Sequence, residues 1–219
     1  MPRLTLHPAV VVGLLLLTAA CSEVVLPKGP PLAPADGPQL TVSTHASTIV
    51  INELMVDPSA VADTDGEWIE VHNRGTAAVN LQGWVIASNN DSPQTIASSV
   101  SVPAGGYVVL ARNGNAALNG GVTEDYAYST LTLANTSDWV ALRDNLGASV
   151  DSVTWATAMP AGSTRGVSDP SADNLDAKGS NWHTATSTFG SGDKGTPGAR
   201  NDKKTGALIV RVIDAGNAD

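Results

Sequence analysis

Five side chains that could do chemistry sit close together in DTDGEWIEVHN: Asp63, Asp65, Glu67, Glu70 and His72, around Trp68. Carboxylates at this density serve general acid–base work or hold a hard cation. Calcium takes oxygen ligands and suits an exported protein, so Asp57, Asp63, Asp65 and Glu67 form a candidate calcium set. Zinc is harder to build. In an extended chain Glu70 and His72 share a face about 7 Å apart. A zinc site needs three or four ligands, and His45 and His183 fall in a linker and a late loop.

Asp63-Thr64-Asp65-Gly66 matches part of an EF-hand loop by letter. With Gly66 at the sixth position, however, the first is Val61 and the twelfth His72, where that loop requires carboxylates. Without an ion, the same residues read as a polar loop, Asp57 to Glu67, feeding a strand. Gly190 to Gly195 matches GxGxxG, but no strand-to-helix context surrounds it and Thr196-Pro197-Gly198 follows, so it reads as a glycine-rich loop. GSTRG at Gly162 lacks the central serine of a nucleophile elbow. No cluster offers a nucleophile, a base and an orienting group together.

The elements that position these groups read as β-strands. The chain of 219 residues has 21 Gly and 13 Pro, gathered between short apolar runs. Apolar residues at helical spacing are missing outside the N-terminus. Strand runs are expected at Thr48 to Val56, Glu67 to Asn73, Ala78 to Ser88, Gly106 to Arg112, Ser129 to Asn135, Asp138 to Asp144 and Ala148 to Trp155. Asn73-Arg74-Gly75, Pro103 to Gly106, Asn119-Gly120-Gly121 and Asp144 to Gly147 supply the turns, the last as a hairpin. Alternation puts Ile69 and Val71 on one face of the second run, and Trp68, Glu70 and His72 on the other. In the first run it groups Ile49, Ile51 and Glu53 against Val50, Asn52 and Leu54. This pattern predicts an all-β, immunoglobulin-like β-sandwich. Trp68, Trp84, Trp139 and Trp155 lie in strand runs, where core packing is expected.

Ala156 to Asn201 is poor in strand signals and long for a loop. Trp182 and Phe189 are expected to pin it back onto the sandwich. The alternative makes it a recognition loop, with Trp182 and His183 presented beside the Asp57 to Glu67 loop.

The N-terminus carries a secretory pattern: Arg3, an apolar run from Ala9 to Leu17, then small residues before Cys21. The run is short of the roughly 20 residues a bilayer span needs. Cys21 is the only cysteine, so no disulfide within the chain can form. A buried thiol, an intermolecular disulfide and lipidation are the remaining fates. Thr18-Ala19-Ala20-Cys21 resembles a bacterial lipobox, with Thr18 where leucine is usual. That resemblance implies a signal peptide over 1–20 and a lipidated Cys21. It implies membrane anchoring by the lipid, with Ser22 after the cysteine pointing to an outer membrane or cell surface. Residues 21–46 then form a tether, with Pro27, Pro30, Pro31, Pro34 and Pro38 favouring an extended chain of about 3.1 Å per residue.

INELMVDPSAVADTDGEWIEVHNRGTAAVNLQGWVIAS, VPAGGYVVLARN, WVALRDNLGASVDSVTW and the later GDKGTPGARN resemble, in this order, the motifs of the lamin tail domain. The resemblance spans Thr48 to Asn201 and implies an immunoglobulin-like sandwich over 47–201. Bacterial members are secreted or surface-attached, alone or fused to hydrolases and nucleases. Residues 202–219 form a tail whose run Leu208 to Ile213 either adds a strand to a sheet edge or opens another β-domain.

A net charge of −9, with 12 Lys and Arg against 21 Asp and Glu, argues against nucleic acid as the default partner. The expected function is therefore a non-enzymatic envelope lipoprotein displaying an interaction or scaffolding module, with an envelope protein or glycan as partner. The rivals are a calcium-dependent hydrolase or its accessory module, and a glycan-binding module.

Overall fold

The computed structural model describes residues 47–89 and 91–203. The expected signal peptide over 1–20, Cys21, the expected tether and the Leu208 to Ile213 run lie outside the described residues. The first hairpin pairs β1 (Ile49–Met55) with β2 (Trp68–Asn73). Ile51 sits opposite Val71, but Glu53 opposite Glu70, so Asn52 is bulged out of the ladder. The bulge resets the alternation expected for β1. Ile49, Ile51 and Leu54 all reach the main core, while Met55 joins Trp68 on the outer face. One turn of helix, α1 (Asp63–Gly66), links the two strands.

The chain continues through β3 (Val79–Asn80), β4 (Val85–Ser88), β5 (Gln94–Thr95), β6 (Ser101–Val102) and β7 (Tyr107–Ala111). It then forms β8 (Tyr126–Ala127), β9 (Asp138–Arg143), β10 (Ser149–Trp155), β11 (Arg165–Val167) and β12 (Trp182–Thr184). One sheet has the order β12-β11-β1-β2-β7-β8, a second β10-β9-β4-β5, and β3 pairs with β6 alone. Among the strands of the described residues β7 and β8 pair in parallel, the others antiparallel.

Between the two larger sheets lies an apolar core. β1, β2 and β7 contribute Ile51, Leu54, Ile69, Val71 and Leu110; β4, β9 and β10 contribute Ile86, Val140, Leu142, Val153 and Trp155. A smaller cluster of Met55, Trp68, Val109, Ala111 and Val122 lies on the other side of the six-stranded sheet, with Phe189 packed on it. This is the all-β sandwich that the sequence pattern predicts.

Two expected strands differ. Ala78 to Ser88 breaks into β3 and β4 because Gly83 takes a φ of 81° and Trp84 N–H donates back to the Leu81 carbonyl. Ser129 to Asn135 forms no strand, although Leu131 and Leu133 are buried in the core. Carboxylates take its amides instead: Thr132 N–H donates to Asp91, Leu133 N–H to Glu67 and Ala134 N–H to Asp138. The hairpin at Asp144 to Gly147 forms as expected, with Gly147 at a φ of 82° and the Asp144 carboxylate accepting from Leu146 and Ala148.

Candidate functional site: the carboxylates of the first hairpin

The acidic residues of the first hairpin fall into two groups. The first lies in the β1–β2 connection, where Asp63, Asp65 and Glu67 are tied to other segments of the chain. Asn135 donates to Asp63 at 3.1 Å and Asn113 to Asp65 at 2.7 Å. Glu67 is fully buried and pairs with Arg112 at 3.0 Å while accepting the Leu133 amide at 3.1 Å. Burial outweighs these partners and lifts the Glu67 carboxyl to about 7. The Asp57 carboxyl is raised by burial and by the nearby charges of Asp63 and Asp193. Asp193, from the late segment, accepts both the Ser59 and Ala60 amides within 3.1–3.2 Å.

Asp63, Asp65 and Glu67 are thus separate cross-links, and with Asp57 they form no convergent shell. Among the described residues no three His, Cys, Asp or Glu side chains are grouped so that they could hold a metal ion. The four residues proposed as calcium ligands are not brought together by their side chains.

The second group is a buried dyad. Glu53 and Glu70 face one another across β1 and β2 and are wholly inaccessible. Thr196 donates to Glu53 through its amide at 3.0 Å and its hydroxyl at 2.8 Å, and the Thr164 hydroxyl donates to the same carboxylate. Glu70 accepts Asn52 Nδ2 at 2.7 Å and the Gly198 amide at 2.6 Å. Asn201 completes the network, its amide donating to the carbonyls of Asn52 and Val167 at 2.9 Å each. Burial lifts the Glu53 carboxyl to about 7. Burial, with the Glu53 charge opposite, lifts Glu70 to about 9. Paired carboxylates with raised pKa values are what acid–base catalysis uses. This pair is sealed from solvent and turned toward the chain's own backbone, so its chemistry is to clamp the segment around Thr196 to Asn201.

The histidines are also placed by structure. His72 Nδ1 lies 3.0 Å from the Gly106 carbonyl oxygen, and its ring stacks on Tyr107 with centroids 4.3 Å apart. Burial lowers its pKa. His183 Nδ1 lies 3.1 Å from Ser168 Oγ, a contact that ties the two ends of the β11–β12 hairpin.

Trp182 and His183 therefore correct one expectation. Trp182 is buried in the main core with its indole N–H donating to the Asn174 carbonyl at 2.9 Å, and His183 is buried beside it. Neither is presented as a recognition surface. The late segment is pinned back through Trp182 and Phe189, the latter edge-on to Trp68 at 5.9 Å. It also supplies β11, which extends the large sheet beside β1. Sequence reasoning missed Glu53, Asn52, Thr196 and Asn201 as one network. Their separations of up to 149 residues leave no local signal.

Trp139 corrects another. It is half-buried, belongs to neither apolar cluster, and alternates with the core residues Val140 and Leu142. It lies opposite Thr154 on the outer face of the four-stranded sheet.

An immunoglobulin-like sandwich with its acidic groups turned inward defines the class. The family model of the Lamin Tail Domain matches residues 43–157. The chain belongs to the lamin tail domain family, whose members are non-catalytic immunoglobulin-like domains. The fold described here continues past the end of that match, through the closing segment. No curated protein matches the chain.

Proposed function

We propose that this chain is a non-enzymatic cell-envelope lipoprotein whose lamin-tail sandwich serves as an interaction or scaffolding module. Cys21 carries the lipid, and the proline-rich residues 22–46 hold the sandwich off an outer membrane or cell surface. The observation that carries the module reading is the use made of the acidic groups. Glu53, Glu67 and Glu70 are committed to the chain's own amides, hydroxyls and Arg112, which leaves the sandwich a rigid platform. The anchor reading is supported by Cys21 directly after small residues and an apolar run. Two acyl chains, each CH₂ contributing about 0.8 kcal/mol, hold firmly where one does not.

The deciding experiment expresses the full chain and Cys21→Ser in a bacterium with a labelled fatty acid. The expected outcome is label and membrane retention in the first, and neither in the second; membrane retention of Cys21→Ser overturns the anchor. Crosslinking the native protein in its envelope then reads out a protein partner.

A glycan partner is favoured by one observation, the half-exposed Trp139 on a sheet face where Ala141 on the same strand and its cross-strand partners Ala87 and Ser152 are small. Indole rings stack on sugar faces, and small neighbours leave them room. Envelope glycans should shift tryptophan emission in the native protein and leave Trp139→Ala unchanged. Emission that ignores glycans altogether removes this reading.

A further inference from the structure

We propose that residues 194–201, KGTPGARN, form a proton-operated strap that lies closed on the six-stranded sheet while the Glu53–Glu70 pair holds a proton and opens when both carboxylates ionise. The sequence of the strap has no large apolar side chain. Its hold is therefore polar. Lys194 and Gly195 are fixed at its start by backbone bonds with Gly162, Thr164 and Ser187. Beyond them Thr196 donates twice to Glu53, Gly198 donates to Glu70, and Asn201 bonds the bulged Asn52 and the Val167 carbonyl. Gly198, Ala199 and Arg200 are exposed, so water stands on one side of a single layer of backbone while buried carboxylates lie on the other.

Like charges directly opposite one another in a sheet are destabilising, and burial multiplies the cost. Among the described residues no guanidinium or ammonium group is hydrogen-bonded to either carboxylate. The charged and titratable groups that face the pair do not neutralise it. Asp202, just beyond the strap, raises Glu53 further. Tyr107, on β7, is itself held neutral by burial and by Glu70, and Arg200 acts on that tyrosine from the exposed side of the strap. His72, two residues along β2, is turned to the Gly106 carbonyl and shifted toward its neutral form.

The direction of the effect follows from the closed-state values, about 7 for Glu53 and about 9 for Glu70, against the ordinary 4.5. Closure binds protons more tightly than the open, solvated state. It is fully favoured below the ordinary value and weakens as pH rises through about 7 and then about 9. Opening would bare the Glu53–Glu70 pair itself, while Phe189, which precedes the strap, stays on Trp68. The strap thereby couples pH to solvent access to the buried carboxylates.

Trypsin tests this on the full chain, because Lys194 and Arg200 lie within the strap. Cleavage at these two sites is divided, at each pH, by cleavage of an unfolded peptide of the same sequence. Each titrating carboxyl contributes up to about tenfold per pH unit to the opening constant. The expected result is a normalised rate at least about tenfold higher near pH 10 than near pH 6, with the sheet signal in circular dichroism retained. Glu70→Gln should remove the rise. A flat ratio in the native chain, or the same rise in Glu70→Gln, overturns the proposal. Should Glu70→Gln fail to fold, the Gly198 amide resonance of the native chain decides. Its titration together with rising cleavage supports the strap, and a pH-independent Gly198 resonance refutes it.

Discussion

The two sheets of this sandwich solve different problems. The six-stranded sheet is covered on both sides: every residue of β1 and β2 is buried. Its inner face packs on the core, and its outer face is roofed by the late segment, with a small apolar cluster at one end and the Glu53–Glu70 network beside it. In the four-stranded sheet, β9 and β10 send Val140, Leu142, Val153 and Trp155 inward and leave Trp139 and Thr154 half-exposed on the other side. Antiparallel sheets commonly face solvent on one side. Both sheets bury polar side chains, among them Asp138 and Asp151 in the four-stranded sheet. Only the roofed sheet sets two carboxylates, Glu53 and Glu70, opposite one another, and there each accepts hydrogen bonds from the chain's own amides and hydroxyls.

Substitutions on both sheets and one titration test that contrast. The largest effect is expected from Trp68→Ala, which empties a site that is 1% exposed. Removing a buried tryptophan costs about 3–5 kcal/mol. Trp139→Ala, on the other sheet, should cost less than about 1 kcal/mol. Urea denaturation of both compares the faces directly, and equal losses would mean that the second face is covered too.

Arg112→Ala comes next. Its partner Glu67 is wholly buried while Arg112 is 18% exposed. Stranding a buried carboxylate costs about 3 kcal/mol, the lower end for a broken buried pair. The double variant Arg112→Ala with Glu67→Gln should recover part of the loss, and the absence of recovery would show that the two do not act as a pair. Asn201→Ala should cost about 2 kcal/mol, since it leaves the Asn52 and Val167 carbonyls without a donor.

Stability should also depend on pH in a stated direction. Glu53, Glu67 and Glu70 have raised folded-state values of about 7, about 7 and about 9. A raised carboxyl contributes stability that is present below its unfolded value and is lost as pH rises through the folded one. Asp202 does the reverse. Burial works against it, but the hydroxyl and amide of Ser187 and the amide of Thr186 outweigh burial and hold it at about 2, so its contribution disappears as pH falls toward that value. The urea midpoint should therefore peak near about pH 5 and fall by at least about 1 kcal/mol of stability by about pH 8. A midpoint that rises over this range would contradict the buried dyad.

What the sequence made legible follows the same division. Period-two alternation located the core face of β2 through Ile69 and Val71, and the Asp144 to Gly147 hairpin was readable from its turn residues, because both signals are local. β1 was misread after Ile51. A bulge at Asn52 leaves no mark in composition, yet it moves Leu54 to the core and turns Glu53 onto Glu70. Leu131 and Leu133 were recognised as strand-like and are indeed buried, but the amides of Thr132 and Leu133 are taken by the distant carboxylates of Asp91 and Glu67, which no window of sequence reveals. The acidic loop looked like a calcium site for a related reason. Carboxylates that cap amides and carboxylates that bind ions are the same residues until their partners are known.

Asp65→Ala is the smallest predicted change and the sharpest test of that ambiguity. Asp65 is half-exposed and its contact is one hydrogen bond, from Asn113 at 2.7 Å. An exposed charged contact contributes about 0.2–1 kcal/mol, so the variant should lose about 0.5 kcal/mol in urea denaturation. Asn113→Ala should lose the same, and the double variant no more than either, because both remove one bond. The comparison is then repeated with millimolar calcium. If Asp65 is only a cross-link between the β1–β2 connection and the loop after β7, calcium leaves the native chain and both variants unchanged. If calcium stabilises the native chain and Asp65→Ala alone abolishes the gain, the connection holds an ion through carbonyls and water as well as side chains. The division between a structural and a ligand-binding use of this acidic stretch would then have to be redrawn.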